Sequence, residues 1–130
     1  MKTNFNQIVC TLFFAVIITI SANAQHGKYV GGDISMLPQY EKHNSPYLDK
    51  NNNPIDDLIT WLVDECGWNT FRVRLFVDPY SPTDPCVCQD LEYVKQLGKR
   101  IKEAGAYFML DYHYSDTWVD ATHIQAPRAW

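Results

Sequence analysis

Apolar positions recur along this chain with two alternating periods, and the alternation dictates the order of elements. Over 55–66, Ile55, Leu58, Ile59, Leu62 and Cys66 fall at helical spacing, and Gly67 stands where a helix would be capped. Over 69–77 the period drops to two, with Phe71, Val73, Leu75 and Val77 alternating against Arg72, Arg74 and Phe76, which predicts a strand. Helical spacing returns at Leu91, Val94, Leu97, Ile101 and Ala104 and ends at Gly105, and 106–112 reads as a third strand. A first short strand is predicted over 29–34. A long polar loop with Pro38, Pro46 and the run Asn51, Asn52 and Asn53 follows it. Cys66, on the apolar face of its helix, is expected to be a small buried hydrophobe, and Trp68 a core residue.

Strand, helix, strand, helix, strand is the order that builds a parallel sheet with right-handed crossovers, as a doubly wound sheet or a barrel of eight βα units. No G-x-G-x-x-G loop follows any of the three strands, which counts against the dinucleotide-binding version. No internal repeat beyond the βα unit and no low-complexity tract is visible.

Ahead of these elements, Lys2 precedes an apolar run from Ile8 to Ile20 that closes on Ala22, Asn23 and Ala24, the small-x-small pattern read by signal peptidase. The run is shorter than the roughly 20 residues that span a bilayer. Residues 1–24 are therefore expected to be a secretory signal, 25–130 the mature chain, and no membrane span should remain after cleavage. Removing Lys2 leaves ten Lys and Arg against 15 acids. That balance argues against nucleic acid and fits a neutral substrate better than an acidic polymer. Three cysteines remain in an exported chain, and the Cys86-x-Cys88 pair, without a histidine or a second pair, is a poor metal motif.

The stretch 108–120 carries the candidate chemistry. An apolar strand runs without a break into Asp111, His113, Asp116, Trp118 and Asp120. In a parallel barrel such residues sit at the carboxyl-end rim, where working groups gather. With Asp33 and Arg72 or Arg74 they would surround one cleft; either arginine suits holding a carboxylate ionised and oriented, in the site or beneath it. His113 is favoured as a hydrogen-bonding rim residue, since no second histidine is spaced for metal. Asp111 is read either as a cleft group or as a satisfied buried carboxylate. Trp118 beside Asp116 and Asp120 offers an apolar face next to hydrogen-bonding groups, the combination a sugar ring requires, or else packs its own loop.

The residues Asn69-Thr-Phe-Arg-Val-Arg-Leu-Phe-Val-Asp-Pro79, Asp111-Tyr-His-Tyr-Ser-Asp-Thr-Trp-Val-Asp120, Pro127-Arg-Ala-Trp130 and Gly32-Asp-Ile-Ser35 resemble the amino-terminal part of the endo-β-1,4-galactanases of glycoside hydrolase family 53. Phe76 stands where that family usually has Trp, Asp78 where it has Asn, and Ala121 where Pro often follows. The resemblance implies a TIM (β/α)8 barrel, of which this chain would hold about the first three βα units. It also implies retaining cleavage of internal β-1,4 bonds in galactan or arabinogalactan, by two glutamates at the ends of the fourth and seventh strands. By the family's pattern Arg72 would support the nucleophile, Asp111, His113, Ser115 and Asp116 would line the cleft, and Trp118 and Asp120 would contact a neighbouring sugar. No catalytic residue is then expected among these positions: Glu41, Glu65, Glu92 and Glu103 fall on loops and helices. The segment alone is expected to be inactive and, with open sheet edges, marginally stable. No cofactor is implied for it, while calcium belongs to later loops in the family. The rival readings are a non-catalytic carbohydrate-binding protein on the same barrel, and a retaining barrel glycosidase acting on a mannan or glucan.

Overall fold

The computed structural model describes residues 27–130, and the expected signal at 1–24 lies outside them. Three strands, β1 (Gly31–Asp33), β2 (Thr70–Leu75) and β3 (Tyr107–Tyr112), form one parallel sheet in the order β1-β2-β3. Three helices connect them: α1 (Leu37–Lys42) and α2 (Leu58–Cys66) between β1 and β2, and α3 (Leu91–Glu103) between β2 and β3.

The two longer helices start where a side chain can satisfy their first free N–H groups. Asp57 caps α2 by accepting from the Ile59 N–H, and Asp90 caps α3 by accepting from the Tyr93 N–H at 2.8 Å. The Asp57 cap, held also by the Thr60 hydroxyl at 2.6 Å, is why Ile55 lies outside α2 although its spacing includes it in the periodic run. Gly67, at φ 68°, takes the left-handed conformation that ends α2. The stretch expected to be all loop contains α1. Its proline is the explanation: Pro38 sits in the first turn, where the missing N–H costs nothing and the fixed φ favours a helix.

Arg100 of α3 ties the helices together. Its two terminal nitrogens each donate to a Glu41 oxygen of α1 at 2.8 Å, and one also reaches the Asp57 cap at 3.2 Å. Glu41 raises the Arg100 pKa further above its ordinary value.

The core lies between the helices and one face of the sheet. Phe71 and Val73 of β2, Ile59 of α2, and Leu97 and Ile101 of α3 are fully buried, and Trp68, Phe108 and Leu110 pack against them. Cys66 is exposed, contrary to the expectation of burial. Leu58, Leu62 and Val63 are the partly buried residues of α2 that reach the core; by Cys66, the last residue of the helix, it has passed the core's edge. On the other face, β1 and β2 approach closely at Gly31, where a Cβ would stand 1.7 Å from the Thr70 carbonyl oxygen.

Candidate functional site

The parallel register sets Gly31 opposite Thr70, Asp33 opposite Arg72 and Arg74 opposite Asp111. Alternation then turns Asp33, Arg72, Arg74 and Asp111 away from the helices, at neighbouring strand ends. The Arg72 guanidinium spans the sheet: one terminal nitrogen donates to the Asp33 carboxylate and the other to Asp111 Oδ2. Arg74 adds a second cation, with Nη2 at 3.5 Å from Asp33 Oδ2. Both arginines are partly buried and stand on the same face of β2. Beside them opens a hollow of about 260 Å³ lined by Tyr29, Gly31, Asp33, Thr70, Arg72 and Met109.

His113 extends this network into the loop after β3. The Val119 N–H donates to its Nε2 at 3.2 Å, so Nδ1 carries the hydrogen and offers it to Asp111 Oδ2 at 3.4 Å. Both ring nitrogens are thereby engaged, and the ring sits edge-on to Phe76 with centroids 5.1 Å apart. Phe76, buried at the end of β2, also meets Trp118 edge-on at 5.1 Å. The Arg74 guanidinium lies 5.0 Å from the centroid of the Trp118 ring. Trp118 donates its indole N–H to Asp84 Oδ2 at 2.7 Å, a contact that holds the Asp84 carboxyl below its usual pKa.

The remaining rim residues are placed differently. Tyr114, at φ 48°, turns the chain sharply off β3. That turn drops Ser115 and Asp116 into buried positions. The Ser115 carbonyl accepts from the Val77 N–H, and its hydroxyl accepts from the Thr117 N–H at 3.3 Å, so the residue splices the two loops. Asp116 accepts from the backbone N–H groups of Asp78 at 3.0 Å and Arg128 at 2.8 Å, and from Arg128 Nε at 3.1 Å. The Arg128 N–H foremost, with its guanidinium and the Asp78 N–H, holds this carboxyl below the usual range. Asp120 is exposed and commits its Oδ1 to its own turn, accepting from the Thr122 N–H and hydroxyl, each at 2.7 Å.

Arg72, Asp111, His113 and Trp118 therefore join one network through Asp33, Arg74 and Phe76, while Ser115 and Asp116 hold the loops that carry Trp118. Sequence reasoning passed over Asp84 and Arg128, which fix Trp118 and Asp116. Arg128 was visible only as part of the Pro127-Arg-Ala-Trp130 run, and Asp84 had no signal beyond its proline-rich loop. Asp78 forms an ion pair, its Oδ2 accepting from Arg128 Nη2 at 2.8 Å. Among the described residues no three His, Cys, Asp or Glu side chains gather to hold a metal ion.

Two strand-end aspartates shared by one arginine make a polar floor, and an indole set at its edge supplies an apolar wall. The sequence pattern of Glycosyl hydrolase family 53 matches residues 29–130. The chain belongs to that family. Its relatives include an uncharacterised protein of Niallia circulans, 37% identical over 101 residues that make up 78% of this chain and 26% of that one. The arabinogalactan endo-beta-1,4-galactanase of Humicola insolens is 33% identical, over 79% of this chain and 29% of its own. A structure of fungal beta-1,4-galactanases superposes with a TM-score of 0.67 at 31% identity, covering 79% of this chain and 29% of that one. The Ignisphaera aggregans family 53 catalytic domain gives the same TM-score and identity over 77% and 28%. The chain thus spans between a quarter and a third of the length of these relatives, and its three parallel strands are about the first three βα units of a TIM (β/α)8 barrel.

Proposed function

We propose that the strand-end network holds a β-1,4-linked galactan or arabinogalactan chain, as the substrate-holding part of a retaining endo-galactanase cleft. The observation that carries the reading is the single arginine, Arg72, joining carboxylates from β1 and β3, with His113 and Trp118 locked beside it. Oriented carboxylates and an imidazole accept and donate to sugar hydroxyls, and an indole at their edge covers the apolar face of the ring. Retaining hydrolysis needs two carboxylic groups about 5–5.5 Å apart, one of them able to give a proton. Asp33 and Asp111 both accept from the Arg72 guanidinium, which commits them to holding the network rather than to serving as the reacting pair. Glu41 lies in α1, Glu65 in α2, and Glu92 and Glu103 in α3, none at a strand end. The catalytic pair is accordingly assigned to no residue of this chain. Arg72, Asp111, His113 and Trp118 are assigned to substrate holding, Ser115 and Asp116 to supporting the loops, and Asp120 to a neighbouring sugar at the outer rim.

The names of the relatives and the match over 29–130 support the galactan assignment. The run from Lys2 to Ala24 supports export with cleavage after residue 24, and no described helix is long and apolar enough to cross a membrane. The test is to mix the purified chain with potato galactan and to follow both retention on the polymer and release of oligosaccharides. Binding without release is the expected outcome. Release by this chain alone would overturn the assignment of the catalytic pair, and preferential binding to mannan or glucan would overturn the substrate.

A further inference from the structure

We infer that the outer side of α2 carries a second sugar-binding surface, centred on Trp61, which takes a neutral polysaccharide chain separately from the strand-end cleft. Trp61 is two residues from the fully buried Ile59, roughly 200° round the helix, and so turns away from the core that takes Leu58, Leu62 and Val63. No aromatic ring or guanidinium among the described residues stacks on it. Its indole instead forms a wall common to two open hollows. One, of about 380 Å³, is also lined by Pro54, Ile55 and Thr60; the other, of about 480 Å³, by Lys50 and Asn51. Asp49 and Glu65 border both. These volumes fall within the roughly 300–1,000 Å³ of small-ligand sites.

The chemistry of the lining narrows the ligand. Trp61 is partly exposed, and a large ring that borders two hollows without joining the core cluster offers them an apolar face. A pyranose ring lays its C–H face on an indole while its hydroxyls at the ring edge need partners, which Glu65, Asp64, Asn51 and Lys50 supply. Asp49 is not such a partner, because its two oxygens are taken by the Asn51 and Asn53 backbone and the Asn53 side chain. Carboxylates outnumber the single lysine around the indole, so an anionic polymer is repelled and a neutral one is not. Two hollows bordered by one residue suit a chain that runs past the ring.

That the neutral polymer is galactan rests on the proposed function; the surface itself does not. The test is electrophoresis of the full chain through gels containing galactan or polygalacturonate, with Trp61→Ala, Trp61→Tyr and Trp118→Ala run alongside. We expect galactan to retard the parent chain, Trp61→Ala to weaken binding about five- to tenfold, and Trp61→Tyr to retain most of it. Because Trp61 stands off the core, its thermal unfolding midpoint should match the parent's. Undiminished galactan retardation of Trp61→Ala overturns the inference, and so does a polygalacturonate retardation that depends on Trp61. Loss in Trp61→Ala with none in Trp118→Ala supports the second surface while removing the strand-end reading. Loss in Trp118→Ala alone does the reverse.

Discussion

The two faces of the sheet use alternate residues of the same three strands, yet one is closed and apolar and the other open and charged. On the helix side, Phe71 and Val73 are fully buried against Ile59, Leu97 and Ile101. Across the same backbone, Asp33, Arg72, Arg74 and Asp111 share ion pairs, and Tyr107 and Met109 are exposed. The difference teaches that a period of two divides the labour: one face supplies the burial that drives folding, and the other is left free for polar geometry.

Breaking the apolar face should cost most. Phe71→Ala removes a fully buried ring, and a loss of about 3–5 kcal/mol is expected, read from the urea midpoint and slope. A cost near zero would mean that burial on this side does not hold the fold.

Breaking the charged face should separate recognition from stability. Arg72→Leu removes both ion pairs to Asp33 and Asp111, which are well over a quarter exposed at the arginine. Stability is expected to move by no more than about 1 kcal/mol, whereas galactan affinity should fall by about tenfold or more. Retained affinity in gel retardation would show that the arginine only braces the sheet.

Asp116 sharpens the comparison through pH. Its native pKa is lowered, by the Arg128 N–H first and then by the Arg128 guanidinium and the Asp78 N–H. An unfolded aspartate titrates at about 3.9. The stability this carboxylate contributes is therefore full above about pH 4 and is lost as pH falls through the lowered native value. Asp116→Asn should flatten that acid limb in urea midpoints taken from pH 7 down to pH 2.5; an unchanged limb would assign the acid loss to other carboxylates.

The smallest effect is expected on the solvent side of α3. Lys95 and Glu92 pair at 2.6 Å with both side chains mostly exposed. Glu92→Gln should change stability by about 0.5 kcal/mol or less, and 1 M salt should erase the difference.

The sheet was legible because Phe71, Val73, Leu75 and their polar alternates write its period directly into the chain. α1 was not, since six residues behind a proline look like loop until Arg100 reaches across to Glu41. The strand-end network was half legible: Arg72, Asp111, His113 and Trp118 stood out as polar or aromatic residues where an apolar strand stops. Asp84 and Arg128 did not, because their roles depend on loops meeting 34 and 12 residues apart in the chain.

By itself, then, the order of residues determined the alternation of strands and helices, the side of each strand that faces the helices, and the set of polar groups at the strand tips. Only the tertiary structure decided how those groups are spent: Arg72 across Asp33 and Asp111, Asp116 on Arg128, Cys66 beyond the core's edge, and Trp61 outside it. The reason is physical. Periodicity is a property of neighbours along the backbone, whereas a hydrogen bond or a burial depends on which distant segment arrives opposite, and that is set by the register and crossovers of the folded sheet.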